Sequence, residues 1–72
     1  MKMKPYEELS PREREVLELV KLGFTSQEIA YRLHSTEQTV KNHLLSIYDR
    51  LGAKNRAHAV YLYYMAPEVT TA

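Results

Sequence analysis

The chain is 72 residues long, enough for one domain, and its 44% hydrophobic and 26% charged residues are those of a folded globular chain rather than a disordered one. It has no cysteine, which excludes disulfides and thiolate metal sites. No apolar run reaches the length of a membrane span, and a net charge of only +1 leaves any nucleic-acid partner to be met by a local patch.

The N-terminal MKMKPYEEL has two lysines with no apolar stretch behind them, unlike a signal peptide, so a cytoplasmic location is expected. Residues 1–8 read as a flexible arm, residues 9–66 as the domain and residues 67–72 as a frayed tail. Ser10-Pro11-Arg12-Glu13 places a serine N-cap, a proline at the first helical position and a glutamate at the third, a capping box with φ already set. Val16, Leu17 and Val20 then form one apolar stripe, with Leu9 before the cap as a staple, and Gly23 stops the helix. Thr25-Ser26-Gln27-Glu28 is a second capping box, opening a short helix with Ile29, Ala30 and Leu33 inward. His34 and Ser35 break the pattern. Thr36 caps a third helix running to about Leu51, and Gly52 ends it. Asn55 caps a fourth, with Ala59, Val60 and Tyr63 inward and Pro67 as its outer limit. No strand pattern appears. The expected class is all-α, a compact four-helix bundle.

The second and third helices are joined by only about three residues, His34 to Thr36, which forces a steep crossing, the helix-turn-helix arrangement. Such a pair presents its second helix to a groove wide enough for one α-helix, although short helix pairs also occur in purely structural bundles. The charge pattern points the same way. Met1 to Val20 holds four basic and five acidic residues, whereas Lys41 to His58 holds four basic residues and one acid, Asp49.

Three segments, LSPREREVLELV (Leu9–Val20), GFTSQEIAYRL (Gly23–Leu33) and TVKNHLLSIYDRLGAKNRAHAV (Thr39–Val60), resemble in order and spacing the LuxR/FixJ-type DNA-binding domain, also called GerE-type. The resemblance implies a four-helix domain of a bacterial transcription regulator, with the third helix reading DNA and the fourth pairing with a second copy. It places Lys41, Asn42 and Leu45 on the groove-facing side. Periodicity agrees: positions 38, 41, 42, 45 and 49 share one face, opposite 40, 44, 47 and 51. Gln38, Lys41, Asn42 and Leu45 are thus the base-facing candidates. Lys41 can donate to guanine or a phosphate, Asn42 can pair with adenine, and Leu45 can touch a thymine methyl. Alternatively, Leu45 covers the fourth helix or is simply exposed.

Candidate phosphate contacts are Thr25, Thr39, His43 and Arg56. Capping alone would also explain Thr25, packing would explain His43, and an ion pair with Glu13 would explain Arg56. On the fourth helix His58, Tyr61, Leu62 and Met65 fall together, away from Ala59, Val60 and Tyr63. They form a candidate homodimer interface, unless Tyr64 and its neighbours only cover the bundle's own core. His34, His43 and His58 lack ligand spacing, and the glutamates of the first helix stand among arginines. No metal site, cofactor or enzymatic activity is expected.

Two positions depart from the family pattern. Ser35 stands where the family usually has valine or isoleucine, and Ser26-Gln27 where it often has Asn-Lys, removing one phosphate-binding lysine. With about eight residues ahead of the first helix, the sequence reads as a stand-alone regulator or an excised domain. The leading expectation is a regulator binding duplex DNA as a homodimer on an inverted repeat. The rival is a protein-interaction module that pairs with a larger transcription regulator, or with RNA polymerase, through the fourth helix. A region 4 sigma-factor fragment is disfavoured by LGAKNRAHAV.

Overall fold

The computed structural model describes residues 9–65: four α-helices and, among the described residues, no strand. These are α1 (Pro11–Lys21), α2 (Ser26–Arg32), α3 (Glu37–Leu51) and α4 (Arg56–Val60), the last continuing as a π-helical segment, Tyr61–Met65. The expected arm at 1–8, the Pro67 limit and the tail at 67–72 lie outside the described residues.

Both capping boxes form. At α1 the Ser10 N–H donates to Glu13 Oε1 at 2.9 Å, and the Glu13 N–H donates to Ser10 Oγ at 3.1 Å. At α2 the Thr25 N–H donates to Glu28 Oε1 at 2.8 Å, and the Glu28 N–H to Thr25 Oγ1 at 3.2 Å. Each box satisfies two backbone donors that a helix start otherwise leaves open.

The first three helices end in the same hydrogen-bonded turn. Phe24 N–H reaches Leu19 O after α1, Ser35 N–H reaches Ala30 O after α2, and Ala53 N–H reaches Tyr48 O after α3, all at 2.8–3.1 Å. This turn needs one left-handed residue. Gly23 and Gly52 supply it after α1 and α3, but after α2 it is His34, at φ 55°. A side chain there costs energy that glycine avoids, partly offset by glycine's freer unfolded chain. His34→Gly is therefore expected to stabilise the domain by about 0.5–1 kcal/mol in urea denaturation. Destabilisation would show that the imidazole makes a contact worth more than the strain.

The core takes Leu9, Val16, Leu17 and Val20 from the α1 end, Ile29 and Ala30 from α2, and Val40, Leu44, Ile47 and Leu51 from α3. α4 contributes one fully buried side chain, the small Ala59. Val60, Leu62, Tyr63 and Tyr64 lean on the core half-buried. The rings of Tyr63 and Tyr64 meet edge to face at 4.5 Å, and the Lys21 ammonium lies 4.2 Å over the Tyr64 ring. Burial, with the Glu18 carboxylate beside it, pushes the Tyr64 phenol pKa up. These tyrosines therefore cover the bundle, as the alternative reading of the fourth helix required.

Polar ties fix α1 against α3 and against the end of α2. Glu13 is only 5% exposed, yet its carboxylate faces Arg50 Nη1 of α3 at 2.9 Å. The ion pair with Glu13, the alternative explanation of Arg56, is thus made by Arg50. At the helix-turn-helix corner, Arg12 Nη2 of α1 donates to the Leu33 carbonyl at 3.1 Å, satisfying an acceptor at the end of α2.

Candidate nucleic-acid interface

α3 is amphipathic along its whole length. Val40, Leu44, Ile47 and Leu51 are buried, while Gln38, Lys41, Asn42, Leu45 and Asp49 all stand exposed. Leu45 is 65% exposed, which rules out its covering α4. The polar side chains are loosely ordered by their own helix. Gln38 Nε2 donates to Asn42 Oδ1 at 3.1 Å, and Lys41 Nζ lies 3.6 Å from Glu37 Oε2. Both are exposed i,i+4 pairs worth a few tenths of a kcal/mol, ~0.2–0.5, so a stronger partner can displace them.

The start of α3 is held by Thr36, whose hydroxyl accepts from the Thr39 N–H at 3.1 Å and donates to Thr39 Oγ1 at 2.9 Å. Thr39 and Thr25 are exposed, and His43 is half-buried between the two faces of α3. Arg56 is engaged within the fold. Its Nη1 donates to the Phe24 carbonyl at 2.9 Å and its Nη2 to Ser26 Oγ at 3.2 Å. Its remaining N–H groups are still available to a phosphate.

On α4 and its extension the four candidate pairing residues divide. Tyr61 and Met65 are 49% and 70% exposed. Leu62 is half-buried against the core. His58 is half-buried, and its Nδ1 accepts from the Lys54 N–H at 3.0 Å. Two exposed apolar residues were not singled out from sequence, Leu22 and Tyr31. Tyr31 follows the buried pair Ile29-Ala30 in a seven-residue helix, too short for periodicity to assign each flank. Nor was Arg12's contact with Leu33 anticipated, because nothing local marks a bond spanning 21 residues.

Among the described residues no cluster of histidine and carboxylate could hold a metal ion, and no helix is long and apolar enough to cross a membrane. The candidate site is an exposed helix face beside a tight turn. The family described as bacterial regulatory proteins, luxR family, matches residues 7–63. The chain belongs to that family. Its relatives include the probable transcriptional regulatory protein SgaR of Hyphomicrobium methylovorum, 48% identical over 82% of this chain and 28% of that protein. The spore germination protein GerE of Bacillus subtilis is 46% identical over 72% of this chain and 70% of its own length. The response regulator protein VraR of Staphylococcus aureus is 44% identical over 76% of this chain and 26% of its own. The luxR-family match thus spans about a quarter of SgaR and VraR but most of GerE. The luxR family is one of DNA-binding transcription regulators rather than enzymes.

Proposed function

We propose that this luxR-family domain regulates transcription by laying α3 in the major groove of duplex DNA, as a homodimer on an inverted repeat. One observation carries the groove assignment: Leu45, largely exposed, stands among Gln38, Lys41 and Asn42 on the outer face of a helix whose other face is fully buried. Water gives such a leucine no partner, whereas a thymine methyl does. Lys41 donates to guanine O6 and N7, and Asn42 with Gln38 reads a neighbouring base. Thr25, Thr39, His43 and Arg56 supply phosphate contacts that set the register.

The pairing surface is the exposed side of α4 and its extension, centred on Tyr61 and Met65 and flanked by Leu62 and His58. Two-fold pairing there would set two copies of α3 about 34 Å apart, one DNA turn. Because Leu62 also packs on the core, a charge at Leu62 would unfold as well as dissociate. Met65 is the cleaner probe. Met65→Glu is expected to convert a dimer to a monomer in sedimentation equilibrium without lowering the melting temperature. An unchanged mass would remove Met65 from the interface.

A second reading is favoured by the Glu37 carboxylate beside Lys41, which partly neutralises the lysine of the groove face. In that reading the domain pairs with a larger regulator, or with RNA polymerase, through the same α4 surface. Selection from a random duplex pool separates the two. Enrichment of an inverted repeat supports the regulator, while sequence-blind recovery supports the interaction module.

A further inference from the structure

We infer that Arg56 is a positioning residue that couples the pairing surface to the helix-turn-helix and so fixes the spacing between half-sites. The inference rests on the dimeric DNA-binding reading above. α2 is gripped at both ends by arginines from outside the helix-turn-helix. Arg12 of α1 holds the Leu33 carbonyl at its end. At its start, Arg56 of α4 spans the Phe24 carbonyl and the Ser26 hydroxyl. Ser26 is itself buried, so this acceptor is fixed by the core and does not move with a surface loop.

The grip matters because α4 has little else at its start. Its only fully buried side chain is Ala59, and an alanine methyl offers a small apolar area to resist rotation. Lys54 and Asn55, which lead into α4, are exposed. A guanidinium fork holding two acceptors defines an orientation, which a single contact cannot. Among the described residues no carboxylate forms an ion pair with Arg56, so these neutral acceptors are its partners in the fold. Any rotation of α4 against α2 is carried to α3 through the tight turn. In a two-fold dimer the same rotation recurs in the second copy. The separation of the two recognition helices therefore changes by twice the error, and DNA with a fixed helical repeat penalises it.

The test uses duplexes carrying one half-site, two inverted half-sites at the preferred spacing, and two at spacings longer or shorter by one and two base pairs. Wild type, Arg56→Lys and Arg56→Gln are compared, with melting curves to monitor the fold. Wild type is expected to favour the preferred spacing by roughly fivefold or more, a coupling of ordinary size. Both variants are expected to lose most of that preference once each spacing is compared with the same variant's own single half-site affinity, which Arg56→Gln also lowers by removing a phosphate contact. Arg56→Lys, which preserves the charge but not the fork, should also keep the salt dependence of binding. Were Arg56 only a phosphate contact, Arg56→Gln would lower the salt slope by about one and weaken every duplex equally, leaving the spacing preference intact. Were it only a stabilising residue, melting temperature alone would fall. Either outcome overturns the proposal. A wild-type chain indifferent to spacing would overturn the dimeric reading itself, and the proposal with it.

Discussion

Glu13→Ala is expected to destabilise the domain by about 2–3 kcal/mol, lowering its melting temperature by roughly 10–20 °C for a chain of this size. The carboxylate serves three groups at once. It accepts from the Ser10 N–H at the start of α1, accepts from the Ser46 hydroxyl of α3, and faces Arg50 at 2.9 Å. Breaking a fully buried ion pair costs about 3–5 kcal/mol because it strands a charge. Here the Arg50 side chain is 43% exposed, so water screens its charge when the carboxylate is removed and the loss is smaller. Burial alone would raise the Glu13 pKa. The Ser10 backbone bond, the Ser46 hydroxyl and the Arg50 charge outweigh burial and hold it below the ordinary 4.5. A carboxyl depressed in the folded state binds its proton more readily when unfolded. Its stabilising effect is therefore complete above the ordinary glutamate range and is lost as pH falls through the folded value. Urea denaturation at neutral pH and in mild acid should show wild type losing part of its advantage over Glu13→Ala. A difference constant across that range would mean the charge of Glu13 contributes nothing.

Lys41→Ala is expected to weaken specific duplex binding by about 1–3 kcal/mol, roughly five- to 150-fold, and to relax preference at one base position per half-site. Stability should barely move. Its i,i+4 pair with Glu37 at 3.6 Å is exposed, and such pairs are worth only ~0.3–0.5 kcal/mol. The contrast with Glu13→Ala is the informative part: one variant melts early, the other folds normally and binds poorly. If Lys41 meets a phosphate instead of a base, affinity falls uniformly across sequences and the salt slope drops by about one. A folded Lys41→Ala with unchanged affinity would remove α3's outer face from the interface.

Features written in neighbouring residues were legible in the sequence. The two capping boxes need only a hydroxyl and a glutamate three positions apart, and Ser10–Glu13 and Thr25–Glu28 form as that spacing requires. Gly23 and Gly52 take the left-handed turns expected of them. The division of α3 into a buried and an exposed face follows from helical period alone, and so Gln38, Lys41, Asn42 and Leu45 emerge together. His34 in the same left-handed role was not legible, because the sequence offers no glycine there and the short link forces the conformation. Which arginine reaches Glu13 depends on how α3 rotates against α1. Arg50 and Arg56 are equally plausible by composition, and only packing selects Arg50. The π-helical turn at Tyr61–Met65 has no spacing signature either. It half-buries Leu62, Tyr63 and Tyr64 in succession, so Leu62, expected on the pairing face, serves the core as well. Phosphate contacts lie further still from the sequence, since they are defined by a partner's shape.

Methylation interference on the selected duplex measures most directly whether α3 lies in the major groove. Dimethyl sulfate marks guanine N7, which faces the major groove, and adenine N3, which faces the minor groove. Methylated guanines within each half-site should be excluded from the bound fraction, and Lys41→Ala should lose that exclusion at one of them. Methylated adenines should bind as unmodified DNA does. Exclusion at adenine N3 with none at guanine N7 would place the protein in the other groove and contradict the role assigned to α3.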